Sequence, residues 1–155
     1  MRLTEDALAA VEKAIELDPG SRKSLLFLKA GIYVQQGRYQ AAIDEAEANS
    51  SQKDIKEHSR TMFPIALAYL QTGQSQKARE LLREMEARVE KSVATGYYLA
   101  LFYANTGKEE KAIELLERSY QERDERLVYL KTEPNLDALR SHPRFQELQR
   151  KMGLL

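Results

Sequence analysis

The chain of 155 residues contains no cysteine and no tryptophan. The absence of cysteine excludes disulfides, thiolate nucleophiles and zinc sites built on thiolates. There is no net charge, because 24 lysines and arginines balance 24 aspartates and glutamates, so no overall field recruits nucleic acid or an anionic membrane. No run of about 18 apolar residues occurs, and Thr4, Glu5 and Asp6 stand where a secretory signal would be apolar. These absences predict a cytoplasmic protein without nucleic-acid or membrane partners.

Residues that catalyse reactions or bind metals are also scarce. The two histidines, His58 and His142, lie far apart, each beside a predicted turn, and neither has a second His or Cys at ligand spacing. The glycines do not cluster into a phosphate-binding loop, and no Gly-x-Ser-x-Gly nucleophile turn occurs. Paired carboxylates such as Glu109 and Glu110 lie among lysines, as on the solvated face of an amphipathic helix. We therefore predict no enzymatic activity, no cofactor and no metal site.

What the chain does contain is a spaced signature, Ala-x2-Tyr-x3-Gly-x4-Ala, that occurs three times. Its copies are Ala30, Tyr33, Gly37, Ala42; Ala66, Tyr69, Gly73, Ala78; and Ala100, Tyr103, Gly107, Ala112. The glycines are 36 and 34 residues apart, a period typical of stacked helical hairpins. Alanine and tyrosine share one face of the first helix of each hairpin. Glycine ends that helix in a left-handed conformation, and the second alanine lies where the second helix crosses closely.

This four-residue pattern resembles the tetratricopeptide repeat. The resemblance implies an all-α fold, a right-handed superhelical solenoid of antiparallel helix pairs with about 3.5 repeats and a short helical C-terminal cap. It divides a single domain, 1–155, into a half repeat at 3–20, repeats at 21–58, 59–92 and 93–124, and a capping segment at 125–155. Pro64 is expected at or beside the first turn of a helix that begins near Ser59 or Thr61, because proline costs little there.

The half repeat is a second helix without its first helix. Ala7, Val11, Ala14 and Pro19 match the second-helix positions of the repeat. Two explanations stay open: the sequence is a piece of a longer protein, or this helix is an unusual N-terminal cap. The first is favoured, because the terminal helices of repeat arrays usually turn a polar face to water.

The tail after residue 124 carries a second resemblance. Its matching positions are Lys131, Pro134, Asp137, Leu139, Arg140, Pro143, Arg144, Phe145, Leu148, Gly153 and Leu154. At these positions the tail is similar to the segment that closes repeat domains in bacterial multidomain signalling proteins, among them serine/threonine kinases, class III adenylate cyclases and winged-helix transcription regulators. A helix that begins at Pro143 places three apolar residues on one face, and this face predicts a cap over the last repeat. The alternative is an anion or partner site formed by Arg140, Arg144, Arg150 and Lys151.

The first helices carry another repeated feature, an apolar face that begins with an aromatic residue three positions before each signature alanine. In the family that the chain resembles, this face lines a concave groove that holds a peptide or helix. The predicted groove residues are Phe27, Val34, Gln35, Phe63, Leu67, Leu70, Gln71, Tyr97, Leu101 and Asn105. Two alternatives stay open: the aromatic residues form core, and the three amide residues are merely solvated instead of binding a peptide backbone.

The sequence thus predicts a non-catalytic protein–protein interaction module that binds an apolar peptide or helix in its groove, as the regulatory or scaffolding part of a larger bacterial signalling protein. The alternative function is a self-association module that dimerises an attached effector domain. Because soluble monomers avoid large exposed apolar patches, we expect a partner protein, a peptide or a second copy to cover the groove.

Overall fold

A computed structural model describes residues 2–49 and 51–155. In these ranges the chain is helical, without strands, which confirms the predicted all-α fold class. The α-helices are α1 (Arg2–Leu17), α2 (Arg22–Gln35), α3 (Tyr39–Asn49), α4 (Gln52–Glu57), α5 (Ser59–Gln71), α6 (Ser75–Arg88), α7 (Val93–Ala104), α8 (Glu109–Gln121) and α9 (Pro143–Lys151). Short 3-10 helices span Pro19–Ser21, Glu125–Tyr129 and Pro134–Leu139. None of the described helices is both long and apolar enough to cross a membrane.

The polypeptide forms two compact units, of which the first ends at Arg83 and the second begins at Glu84. In the first unit α2 packs against α3, both pack against α5, α4 packs against α5, and α1 packs against α2. The apolar faces of these amphipathic helices meet in a common core, which includes Val11 of α1, Leu26 of α2, Ile43 of α3 and Met62 of α5.

The three signature glycines end the first helices in the way that the sequence predicts. Gly37, Gly73 and Gly107 have φ angles of +69°, +78° and +73°, a left-handed conformation that only glycine adopts at no steric cost. The N–H after each glycine donates to the carbonyl of the signature tyrosine, at 2.8, 2.8 and 2.9 Å. This is the hydrogen-bonding pattern of a Schellman C-cap, and it turns the chain into the second helix.

Pro64 does not lie where the sequence predicts. The helix begins at Ser59, as expected, but Pro64 is inside α5 rather than in its first turn, and its side chain is buried. Proline at this depth has no N–H to donate to the carbonyl of Arg60 one turn earlier. Its chain neighbours Phe63 and Ile65 are buried as well, so Pro64 lies in a buried stretch of α5.

In the second unit α7 packs against α8, the two 3-10 helices of the tail pack against both, and α9 packs against α8. The tail contributes six fully or almost fully buried apolar side chains, namely Leu127, Leu130, Leu136, Leu139, Phe145 and Leu148. His142 precedes Pro143 and caps α9, because its ring Nδ1 accepts a hydrogen bond from the N–H of Arg144 at 3.3 Å. The tail thus packs its apolar side chains against the last helix pair, α7 and α8.

Candidate functional site

The predicted groove residues of the first unit divide into a buried set and an exposed set. Val34 on α2 and Phe63 and Leu67 on α5 are buried within the described chain. Gln35, at the end of α2, and Leu70 and Gln71, at the end of α5, are exposed. The burial of Val34, Phe63 and Leu67 agrees with the alternative that such residues form core. A partner can reach the three exposed positions, Gln35, Leu70 and Gln71.

Phe27 begins the apolar face of α2 and is only partly buried. The guanidinium of Arg60, on α5, lies over its ring at 3.7 Å from the ring centroid, within the range of a cation–π interaction. This contact covers one side of Phe27 within the unit. Sequence reasoning missed Arg60, because no local spacing indicates which cation reaches an aromatic ring on another helix.

In the second unit the predicted groove face is occupied by the tail of the same chain. Tyr97 and Leu101 of α7 are only 3 and 2 % exposed, and the 3-10 helix Pro134–Leu139 packs against α7. Asn105, at the end of α7, donates its side-chain N–H to the backbone carbonyl of Asn135 at 3.0 Å. The amide position that the sequence singles out thus holds a peptide carbonyl, and that carbonyl belongs to this chain.

Burial under the tail also fixes the protonation state of Tyr97. Desolvation raises the pKa of its hydroxyl far above the usual range, and the nearby carboxylate of Glu133 raises it further. Within the described residues its hydroxyl has no hydrogen-bond partner, and neither has Oδ2 of the buried Asp124. The other oxygen of Asp124 accepts from the backbone and the guanidinium of Arg126, at 3.0 and 2.6 Å. Tyr97 is therefore a neutral residue buried under the tail.

Two signature tyrosines bind glutamates on the second helix of the preceding repeat. The hydroxyl of Tyr69 donates to Glu47 of α3 at 3.0 Å, and that of Tyr103 donates to Glu86 of α6 at 2.6 Å. Lys77 shares the same oxygen of Glu47 at 2.7 Å, and the hydrogen bonds from Lys77 and then Tyr69 lower the pKa of Glu47. Burial, followed by the bond to Glu86, raises the pKa of Tyr103. These tyrosines hold neighbouring repeats together and are not available to a ligand.

Three of the four basic residues of the anion-site alternative, Arg140, Arg144 and Arg150, are paired with carboxylates, which disfavours that alternative. Arg144 binds both oxygens of Glu117 at 3.1 and 2.7 Å and contacts Glu110 at 2.8 Å. The hydrogen bond from Arg144 lowers the pKa of Glu117. The other two pairs are Arg140 with Asp137 and Arg150 with Glu147.

Neither histidine belongs to a metal centre in the described part of the chain, where no group of three or more His, Asp or Glu side chains is arranged to hold an ion. His142 uses both ring nitrogens structurally, since Nδ1 caps α9 and Nε2 lies 3.1 Å from Glu110. His58 is exposed at the start of α5.

Comparison with known proteins bears on the repeats. A family model described as "Tetratricopeptide repeat" matches residues 1–52 and 63–126. No curated protein and no solved structure matches the chain. The matched segments include α1 to α3 and α6 to α8, and thus both helix types of the repeat.

Proposed function

Because the chain belongs to the tetratricopeptide repeat family, whose repeats generally mediate protein–protein interaction, we propose that it is a non-catalytic interaction module. Its partner is a peptide segment bound along the rim, which we define as the exposed residues Gln35, Leu70 and Gln71. The rim lies at the ends of α2 and α5, which pack together in the first unit.

The observation that supports this proposal is the contact between Asn105 and the tail. Gln35, Gln71 and Asn105 each follow a signature tyrosine by two residues. In the second unit Asn105 donates to a backbone carbonyl at 3.0 Å. Glutamine has the same amide on a side chain one methylene longer, so Gln35 and Gln71 offer the same donor to a partner. Because every peptide carries backbone carbonyls, this hydrogen bond would contribute affinity with little sequence preference.

The buried groove residues have a supporting role in this proposal. Phe63 and Leu67 lie beneath the surface of α5, and Leu70 is the exposed apolar residue on the next turn. Truncation of Phe63 or Leu67 would create a cavity in the core, at a cost of about 2–5 kcal/mol. Loss of binding in such variants could therefore result from unfolding as well as from loss of a contact. Substitution of the exposed rim residues is the more specific test of binding.

The wider context is proposed from the tail. Its resemblance to the segment that closes repeat domains in bacterial signalling proteins supports a regulatory or scaffolding part in such a protein, in the cytoplasm. Self-association is the second candidate function. The feature that favours it is exposed apolar surface on α1, where Leu17 is 76 % exposed, because two copies could share such a surface. Sedimentation equilibrium tests it, since a monomer at all concentrations would exclude dimerisation.

A peptide library displayed on phage tests the rim. We expect peptides selected on the unmodified chain to lose at least about tenfold in affinity for the double variant Leu70→Asp with Gln71→Ala, because the apolar contact and the amide donor are both removed. The matched control is Arg79→Ala with Glu80→Ala, two exposed residues of α6, which should bind as before. Peptides that bind the rim variant and the unmodified chain equally would contradict the proposal, provided that both variants keep the unmodified circular dichroism melt.

A further inference from the structure

The 3-10 helix Pro134–Leu139 of the tail packs against α7 and α8. Its backbone carbonyl at Asn135 accepts the hydrogen bond from the side chain of Asn105 at 3.0 Å. The next residue, Leu136, is 0 % exposed. This contact therefore combines an amide side chain at the end of a first helix, a peptide carbonyl, and a leucine that directly follows the carbonyl.

The conformation of this tail segment is favoured by its own residues. Glu133 accepts hydrogen bonds from the backbone N–H and the side chain of Asn135, at 3.0 and 2.6 Å, and so caps the 3-10 helix. Pro134 is the first residue of that helix, where the fixed φ of proline suits a helix start. Side chains three positions apart eclipse in a 3-10 helix, so Leu136 and Leu139, both 0 % exposed, form one apolar edge. A peptide with the same residues has the same local constraints, which lower the entropy cost of binding.

The end of α5 carries the equivalent residues in an exposed form. Leu70 and Gln71 stand at the repeat positions that Ala104 and Asn105 occupy in α7. Ala104 is 3 % exposed, whereas Leu70 is 37 % exposed, and Gln71 is exposed as well. Both α5 side chains are longer than their α7 counterparts, so the apolar contact and the amide donor move outward together. A peptide placed slightly farther from the α5 backbone therefore meets both.

We propose that the partner segment of the rim is a leucine-bearing 3-10 turn with the chemistry of the tail, rather than an extended strand. The segment carries an acidic residue that caps the turn, then a proline, and a leucine two positions after the proline, as Glu133, Pro134 and Leu136 do. The backbone carbonyl before the leucine accepts from Gln71, and the leucine packs on Leu70. This inference rests on the proposed function, because it names the class of peptide that the rim binds.

The small size of the rim also favours a preformed turn. The rim consists of one apolar side chain, Leu70, and the two amides of Gln35 and Gln71. Each flexible peptide residue that becomes ordered on binding lowers the affinity, because conformational entropy is lost. Proline and an acidic cap restrict the free peptide before it binds. An extended peptide has no such restriction, so the same few contacts would hold it more weakly.

The tail of a second copy is the weaker occupant of the rim. In that copy Leu136 and Leu139 are buried where the 3-10 helix packs on α7 and α8. The tail would have to leave this packing before it could bind another chain, and the buried apolar area would be exposed to water. A partner segment with the same residues does not have this cost.

An NMR titration of the full chain with a synthetic peptide of sequence 131–140, acetylated and amidated at its ends, tests the proposal. We expect chemical-shift changes at the side-chain amides of Gln35 and Gln71 and at the methyl groups of Leu70. The peptide variant Leu136→Ala should bind at least about fivefold more weakly, because the apolar contact is reduced. The matched control peptide Ala138→Ser changes a residue that is exposed in the tail and should bind within about twofold of the unmodified peptide.

The peptides selected by phage display separate this inference from the proposed function. If they bind the rim but the tail peptide does not, or if the Leu136→Ala and Ala138→Ser peptides bind equally, the turn is wrong and the proposed function stands. If neither kind of peptide binds the rim, both are wrong. Shift changes confined to α7 would assign the tail peptide to the site of the chain's own tail and would also overturn the inference. Rim resonances that shift with protein concentration alone would assign the rim to a second copy instead.

Discussion

Helices α1 and α9 each pack beside a helix pair, α1 on α2 and α9 on α8, yet their outer faces differ. Helix α9 buries Phe145 and exposes arginines that pair with glutamates. Helix α1 buries Val11 and exposes a row of apolar residues that we call the α1 stripe, namely Ala7, Ala10, Ala14 and Leu17. The tail thus packs on the last helix pair with residues of the same chain, whereas the stripe is exposed in the part of the chain that the structure describes. Burial in a repeat depends on what packs on a helix, because Ala112 of α8 is 0 % exposed, whereas Ala7, at the matching repeat position of α1, is exposed.

The largest effect is expected from apolar truncation in the two helices. Phe145→Ala should lower the free energy of unfolding by about 3–5 kcal/mol, because Phe145 is fully buried and its loss leaves a cavity. Leu17→Ala should change it by less than about 0.5 kcal/mol, because Leu17 is exposed. Urea unfolding measures both values. A cost for Leu17→Ala close to that of Phe145→Ala would show that the stripe is covered within the chain.

A smaller effect is expected at the signature tyrosines. Tyr69→Phe and Tyr103→Phe should each cost about 1–2 kcal/mol, because each removes a hydrogen bond to a glutamate. Tyr33 is the matched control. Its ring lies beside Arg38 and Lys29, and its hydroxyl forms no hydrogen bond among the described residues, so Tyr33→Phe should cost less than about 0.5 kcal/mol. Equal costs at all three tyrosines in thermal or urea unfolding would contradict this distinction between Tyr33 and the two tyrosines that bind glutamates.

The smallest effect is expected on the melting temperature at acid pH. The hydrogen bond from Arg144 lowers the pKa of Glu117 below its ordinary value of 4.5, so the folded state holds this carboxylate ionised. The resulting stability is fully present above the unfolded pKa and is lost as the pH falls through the folded pKa. Glu117→Gln should therefore flatten the fall of the melting temperature below about pH 4.5, with Glu114→Gln, an exposed neighbour on α8, as the control. If Glu117→Gln melted with the same pH dependence as the unmodified chain, the pair of Arg144 and Glu117 would not stabilise the packing of the tail on α8.

The features that followed local rules were predictable from the sequence. Gly37 and the other repeat glycines take the left-handed conformation because helix ends require it, and Pro143 begins the last helix because proline suits a first turn. Contacts that depend on the path of the chain were not predictable. The bond from Asn105 to Asn135 joins residues 30 positions apart, and the stacking of Arg60 on Phe27 joins two helices. Neither contact is marked by a sequence pattern, because the two side chains of each contact meet only after the helices have packed.

The most direct test of the contrast between an open and a closed repeat interface is thiol labelling, for which a chain without cysteine gives no background. Single variants Ala7→Cys and Ala112→Cys place one thiol at equivalent repeat positions, one exposed and one 0 % exposed. We predict that Ala7→Cys reacts with a maleimide at nearly the rate of a free peptide thiol. Ala112→Cys should react at least about a hundredfold more slowly, because labelling requires local opening. Protection of Ala7→Cys comparable to that of Ala112→Cys, at a concentration where the chain is monomeric, would contradict the account.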